Sequence, residues 1–112
     1  MEEEKVNWEE ALAAVDGRRG LLRELVEIFF AECPGLMQHI QQAIERQDPA
    51  ELKLYAHRLK GCLRYFGDNR AARLALQLED MGREGTIEGA AERFADLDEA
   101  IQGLLPALRR LS

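Results

Sequence analysis

The stretch DPAELKLYAHRLKGCLRYFG, residues 48–67, is the most informative part of the sequence because it combines a helix start, a helical stripe of apolar residues and a closing glycine. Asp48 can cap the free amides of a new helix, and Pro49 suits its first turn. At roughly 100° per residue, five apolar side chains fall within about 40° of a common direction. They are Leu52, Tyr55, Leu59, Leu63 and Phe66. The stripe predicts a core-facing helix that runs to about Phe66, after which Gly67 takes a left-handed closing conformation.

His57 lies on the opposite side of this helix, about 160° from Leu59 on the helical wheel. Gly61 and Arg64 share that side, and two lysines lie on one flank. A histidine in this position is predicted to be exposed to solvent. Of its two nitrogens, one can be oriented by a hydrogen bond while the other attacks an electrophile.

Basic residues around His57 indicate that it receives a negatively charged group. Lys60, one helical turn further on, places an ammonium beside the imidazole, and Arg58 and Arg64 enlarge the positive field. A phosphoryl group is the obvious candidate. Gly61 costs a helix interior about 1 kcal/mol relative to alanine, so its presence four residues after the histidine predicts that something approaches closely. A convex helix face favours a protein partner over a small substrate, which would usually occupy a concave pocket.

The composition is that of one globular domain, and we treat residues 1–112 as a single unit. A net charge of -6 argues against general binding of nucleic acid or of an acidic lipid surface. No apolar run approaches the roughly 18 residues of a membrane-spanning helix, and the opening Glu2-Glu3-Glu4 is unlike a signal peptide. We therefore expect a cytoplasmic monomer. Cys33 and Cys62 are expected to be reduced thiols that fill small packing spaces.

No alternating apolar and polar run indicates a strand, so an all-α fold is predicted. Besides the histidine helix, the sequence predicts a short first helix and three longer ones. They run from Trp8 to Val15, from near Arg19 to Ile44, from Asp68 or Asn69 to Met81, and from Thr86 to Leu108. Four longer helices with short connections favour an antiparallel up-and-down four-helix bundle, to which the short N-terminal helix is additional.

Proline and glycine residues are expected to interrupt or end these helices. Pro34 is expected to kink or split the second helix, and Pro106 to bend or loosen the end of the last one. Gly82, Gly85 and Gly89 are interpreted as turn residues, because they follow no strand and form no nucleotide-binding loop. Without such a loop, a stand-alone kinase is not expected.

The residues Ala56-His57-Arg58-Leu59-Lys60-Gly61-Cys62, followed by Phe66-Gly67, resemble the signature of histidine-containing phosphotransfer (HPt) domains, which carry phosphoryl groups in two-component phosphorelays. The similarity extends from about Leu21 to Gly85. Two positions differ from the family's usual pattern, since Cys62 stands where serine is common and Asp68 where alanine is common. Neither touches the proposed chemistry.

The resemblance implies a role for each matching residue. His57 would be the phosphorylated residue, Lys60 would help to stabilise the phosphoryl group, and Gly61 would leave room for a docked partner. Glu79, 22 positions after the histidine, stands where the family can place a polar side chain beside the imidazole. It either orients the imidazole or is simply solvated. Arg58 and Arg64 either support the site or belong to a solvated basic face.

The resemblance also implies the partners. His57 would exchange phosphoryl groups with aspartates of response-regulator receiver domains and act with a hybrid sensor kinase, the divalent metal belonging to the receiver and no cofactor to this chain. Docking would use apolar surface beside the histidine. The candidates are the exposed Leu54 and part of the cluster Phe29, Phe30, Cys33 and Met37, although residues at such spacing are usually core.

Two other hypotheses remain open. A structural zinc site would need the available soft ligands Cys33, His39, His57 and Cys62, whose spacing is unlike that of common zinc sites. A helical interaction module could bind receiver or kinase domains without phosphotransfer. His39, which has no lysine or glycine at the matching spacings, is expected to be a solvated side chain.

Overall fold

The computed structural model describes residues 6–111, which form five α-helices and one 3₁₀ turn. The helices are α1 (Trp8–Ala14), α2 (Arg19–Glu45), α3 (Pro49–Leu63), α4 (Arg70–Glu84) and α5 (Ala90–Leu111). The 3₁₀ turn, Arg64–Phe66, follows α3 directly. Residues 6–111 contain no strand, which confirms the all-α prediction. None of the helices in this range is long and apolar enough to cross a membrane.

Helices α2 to α5 form the predicted antiparallel bundle. Each packs against the next along the chain, and α5 closes back onto α2, while α1 packs on the 3₁₀ turn and on α2. Phe29 of α2 meets Phe66 edge to face, with ring centroids 5.6 Å apart. Such an aromatic pair contributes about 0.5–1.5 kcal/mol beyond its buried area, so it helps to hold the end of α3 against α2.

The connection between α3 and α4 is organised by Asn69, whose side chain is buried. Its Oδ1 accepts a hydrogen bond from the Ala72 amide at 2.8 Å, and its Nδ2 donates to the carbonyls of Leu63 and Gly67, both at 3.0 Å. Asn69, and not Asp68, is therefore the N-cap of α4. Gly67 has φ 83° and ψ -168°, so it has positive φ but not the predicted left-handed helical conformation. This region is open essentially only to glycine.

Pro34 does not split α2, which is a correction to one of the two predicted outcomes. The helix is continuous from Arg19 to Glu45, with Pro34 on its exposed side. A proline inside a helix costs about 3 kcal/mol or more. Burial of Phe29 before it and Ile40 after it offsets that cost, because both side chains must stay in the core for the bundle to close. Helix α5 likewise continues past Pro106 to Leu111.

Helix α5 begins at Ala90, so the predicted start at Thr86 is wrong. The Thr86 amide donates to the Met81 carbonyl at 2.9 Å, and the Gly85 amide donates to the Gly82 carbonyl at 3.2 Å. This pair of bonds is a Schellman motif that closes α4. The Ala90 amide then donates to the Ile87 carbonyl at 2.9 Å, which forms a turn after Thr86. The helical bonds of α5 begin only with the Arg93 amide, which donates to the Gly89 carbonyl at 3.2 Å.

Candidate functional site

The candidate site is built around His57 in the middle of α3. Its side chain is 63% exposed, whereas Ala56 and Leu59 on the opposite side of the helix are fully buried. The predicted stripe is buried at four of its five positions, and Tyr55 is half-buried. The helical period therefore places the imidazole on the surface and anchors its helix from behind.

Glu79 of α4 lies directly beneath the imidazole. Its side chain is 5% exposed, and its Oε2 lies 3.2 Å from His57 Nδ1. Its other oxygen, Oε1, lies 2.7 Å from the ammonium of Lys60. Of the two environments considered for this carboxylate, the structure has the buried one, in contact with the imidazole.

The charge state of Glu79 determines which imidazole nitrogen carries the proton. Burial alone would raise the pKa of Glu79, but the hydrogen bonds and positive charges of Lys60 and His57 outweigh burial and lower this pKa below its ordinary value. Glu79 is therefore an ionised carboxylate at neutral pH, which can only accept hydrogen bonds. His57 Nδ1 must then be the donor, and in the neutral ring Nε2 keeps its lone pair.

Gly82 is what lets α4 come this close to α3. A Cβ atom at this position would lie 2.6 Å from both the backbone nitrogen of Lys53 and the carbonyl oxygen of Pro49. The interpretation of Gly82 as a turn residue is wrong, because it lies inside α4 and is buried at the helix crossing. The crossing brings Glu79, one turn earlier on α4, under His57.

Gly61 has the opposite environment, although it is also a helical glycine. It is exposed, and a Cβ atom built on it would meet no atom within 4 Å. The fold therefore does not require a glycine at this position. Lys60, immediately before it, has a largely buried side chain that is 11% exposed and directed to Glu79.

Arg83 belongs to the same cluster and was not anticipated from the sequence. Its Nη2 donates to Glu79 Oε2 at 2.8 Å, and its Nη1 donates to Asp80. The spacing of four residues between Glu79 and Arg83 is a signal for an ion pair on a helix. That signal becomes informative only once Glu79 is known to face the imidazole.

A surface hollow of about 520 Å³ adjoins His57. It is lined by Ala50, Lys53, Leu54, His57, Glu79 and Arg83. Leu54 is 43% exposed, so the hollow combines an apolar side chain with two cationic ones beside the histidine.

The two other predicted basic residues lie outside this hollow. The Arg58 guanidinium stands over the ring of Tyr55, 5.5 Å from its centroid. Arg64 lies in the 3₁₀ turn and lines a separate hollow with Glu10 and Gly67. Neither arginine therefore lines the hollow beside His57 or contacts Glu79 in the described part of the chain.

The predicted docking cluster on α2 is only partly accessible. Phe30 and Met37 are half-buried, but Phe29 is fully buried and Cys33 is 7% exposed, which corrects the expected place of these two on a docking surface. Burial, followed by the nearby Cys62 and Asp98, raises the pKa of the Cys33 thiol to about 12. Cys33 is therefore an unreactive core thiol.

The proposed zinc ligands are not brought together. Among residues 6–111, the structure contains no group of three or more His, Cys, Asp or Glu side chains that could hold a metal ion. His39 stacks on Tyr55 instead, with ring centroids 4.3 Å apart and an interplanar angle of 9°. His39 is exposed as expected, but one face of its ring is covered.

Comparison with known proteins agrees with this arrangement. The model of the Hpt domain family matches residues 24–109, a range that includes the whole His57 cluster. The fold is similar to that of the HPT domain from an Hpt sensor hybrid histidine kinase of Shewanella, with a TM-score of 0.82 and 21% sequence identity. That similarity covers 95% of this chain and 92% of the other. No curated protein sequence matches this chain significantly.

The family match and the site agree on the same segment of the chain. The matched range spans most of α2 and all of α3 and α4. It therefore contains the exposed histidine, the lysine one turn later and the carboxylate beneath the imidazole. This chain belongs to the Hpt domain family, whose function is histidine phosphotransfer in phosphorelays.

Proposed function

We propose that His57 is the phosphoryl carrier of this domain, taking the group from an aspartate of one receiver domain and passing it to another. The observation that carries the proposal is the exposed imidazole whose Nδ1 is held by the buried carboxylate of Glu79. This contact leaves the lone pair of Nε2 for attack. Phosphoryl transfer depends mainly on positioning and charge stabilisation, so a small site with few groups is sufficient.

In the transfer step, the phosphoryl group moves from the aspartate oxygen to His57. The lone pair of His57 Nε2 forms a bond to phosphorus while the bond between phosphorus and the aspartate oxygen breaks, and that electron pair leaves with the carboxylate. Nδ1 keeps its proton, so the ring acquires positive charge. The carboxylate of Glu79, 3.2 Å away, balances that charge. The reverse step delivers the phosphoryl group to the aspartate of the next receiver.

Lys60 supplies positive charge on the side of the helix that the phosphoryl group enters. Its ammonium lies 2.7 Å from Oε1 of Glu79, the carboxylate whose other oxygen contacts the imidazole. A charge-assisted contact to a phosphoryl oxygen is stronger than a neutral hydrogen bond. The divalent metal that phosphoryl transfer requires would be supplied by the receiver.

The docking surface in this proposal surrounds His57. Gly61 presents bare backbone, and Leu54 presents exposed apolar area beside the hollow. The half-buried Phe30 and Met37 would extend this surface onto α2. A hybrid sensor kinase and response-regulator receivers are the partners that a carrier of this kind would connect.

The experiment is a transfer assay with radiolabelled phosphorylated receiver domains from the same organism. The chain is expected to acquire a phosphate that is labile in acid, and His57→Gln is expected to abolish it completely. His39→Gln is the matched control, because it removes the other helix-borne histidine and should leave labelling unchanged. If no receiver of the full panel transfers phosphate, the chain is an interaction module and the proposal fails.

A further inference from the structure

We propose that Arg83 is a positioning residue for His57 that acts through Glu79. The inference rests on the proposed function, since it concerns the nitrogen that attacks phosphorus. Glu79 Oε2 accepts from two donors, His57 Nδ1 at 3.2 Å and Arg83 Nη2 at 2.8 Å. The carboxylate that orients the imidazole is therefore itself held by the arginine.

The geometry shows how Arg83 fixes the carboxylate. The Lys60 ammonium forms an ion pair with Oε1, and Arg83 donates a hydrogen bond to Oε2, so one cation lies against each oxygen of Glu79. With both oxygens held, the carboxylate cannot rotate freely about its last side-chain bond. Without Arg83, the only contact to Oε2 within this cluster is the longer one from His57. The plane of the carboxylate, and with it the direction in which Nδ1–H points, would then be less well defined.

The charges lead to the same conclusion. The cluster contains two carboxylates, Glu79 and Asp80, and two cations, Lys60 and Arg83, so it is neutral when the imidazole is neutral. Removing the arginine leaves an excess negative charge beneath His57. That charge favours the doubly protonated imidazolium, which has no lone pair for attack.

Other charged groups do not replace Arg83. On α3, Lys53 lines the same hollow but makes no contact with Glu79 in the described part of the chain, and Arg58 stands over Tyr55. On α4, Glu79 and Arg83 are the charged residues that line the hollow beside His57. Arg83 is itself 51% exposed, and the buried Glu79 keeps Lys60 and His57 as partners when Arg83 is replaced, so its replacement should leave the bundle intact.

The experiment compares Arg83→Gln, Arg83→Lys and Arg73→Gln. Arg73 is the matched control, because it lies on the same helix in an exposed ion pair with Asp68, at 3.0 Å, away from the hollow. The first measurement is nitrogen NMR of the unphosphorylated imidazole across pH. The second is the rate at which phosphoramidate, a small phosphoryl donor that needs no receiver, phosphorylates His57.

Wild-type protein and Arg73→Gln are expected to show the Nδ1–H form of the neutral ring. Arg83→Gln is expected to show a mixture of the two neutral forms, an acid limb of the rate profile moved to higher pH, and a rate at neutral pH lower by about three- to tenfold. Arg83→Lys keeps the charge and should restore the pH profile.

An Arg83→Gln protein with the ring signals, pH profile and rate of Arg73→Gln would overturn the inference and make Arg83 an ordinary surface ion pair. Failure of the proposed function has a different signature. In that case no receiver would transfer phosphate to the wild-type protein, while the NMR difference between the two variants would persist.

Discussion

Two helical glycines near His57 look alike in the sequence and differ completely in their surroundings. At Gly82 the backbone of α3 occupies the space that a side chain would need, within 2.6 Å of where a Cβ atom would be. At Gly61 the space is open, with nothing inside 4 Å. The first glycine is required by the fold. The second has no internal reason, and we attribute it to the proposed docking partner.

The two glycines mark two sides of the site, an inner side between the helices and an outer side that faces solvent. The inner side, at the crossing of α3 and α4, places the Glu79 carboxylate against the imidazole. The outer side consists of the exposed His57 side chain and, one turn later on α3, the bare backbone of Gly61. Substitutions on the inner side should therefore change the free energy of unfolding, and those on the outer side should change transfer between proteins.

The largest expected effect on stability is that of Gly82→Ala. Alanine gains about 1 kcal/mol of helix propensity, but the new methyl group would overlap the backbone of α3, which must move away. Overpacking of this kind costs about 1–3 kcal/mol, occasionally more. We expect a net loss in the free energy of unfolding, measured by urea denaturation, together with a changed imidazole signal. An increase in stability would mean that the helices cross less closely than described.

The next effect is a pH dependence of stability that arises from the Glu79 carboxylate on the inner side. Because the pKa of Glu79 is lowered from its ordinary 4.5, its ionised form stabilises the folded protein above that pH, and this stabilisation is lost as the pH falls through the lowered value. The difference in unfolding free energy between wild type and Glu79→Gln should therefore shrink as the pH falls below 4.5. A difference in unfolding free energy between the two proteins that stays constant from pH 7 to pH 3 would contradict this prediction.

The smallest effect on stability, and the sharpest test of the comparison, is that of Gly61→Ala. We expect the free energy of unfolding to rise by up to about 1 kcal/mol. Transfer from a receiver should slow by roughly five- to a hundredfold, since an added methyl group in a packed interface costs about 1–3 kcal/mol. Phosphorylation by phosphoramidate should be unchanged.

Gly20→Ala is the control for that variant, because Gly20 also lies in a helix with no atom within 4 Å of where a Cβ atom would be. It should gain stability without slowing transfer. If Gly61→Ala transferred phosphate at the wild-type rate, the open space at Gly61 would need another explanation.

Much of this arrangement could be predicted from the sequence because it depends on local periodicity. The exposure of His57, the burial of Leu59 and the capping by Asp48 follow from positions along a single helix. The all-α class followed in the same way, from apolar stripes and the residues that interrupt them. The family resemblance supplied the roles of Lys60 and Gly61, which remain proposals.

The remainder depends on how two helices cross, and one sequence does not contain that information. Glu79 could be solvated or buried until the crossing at Gly82 placed it under the imidazole. The role of Arg83 could not be inferred before Glu79 was known to contact the imidazole. Thr86 has the chemistry of an N-cap, but a turn from Ile87 to Ala90 separates it from the first helical hydrogen bond of α5.

The three hydrogen bonds of the Asn69 side chain have a consequence for motion in this protein. They join the end of α3 to the start of α4, so the histidine and its carboxylate belong to one helical hairpin. Local opening of a protein occurs in contiguous cooperative units, which often coincide with such hairpins. We therefore expect the pair formed by His57 and Glu79 to belong to one such unit, and its two members to open or shift together.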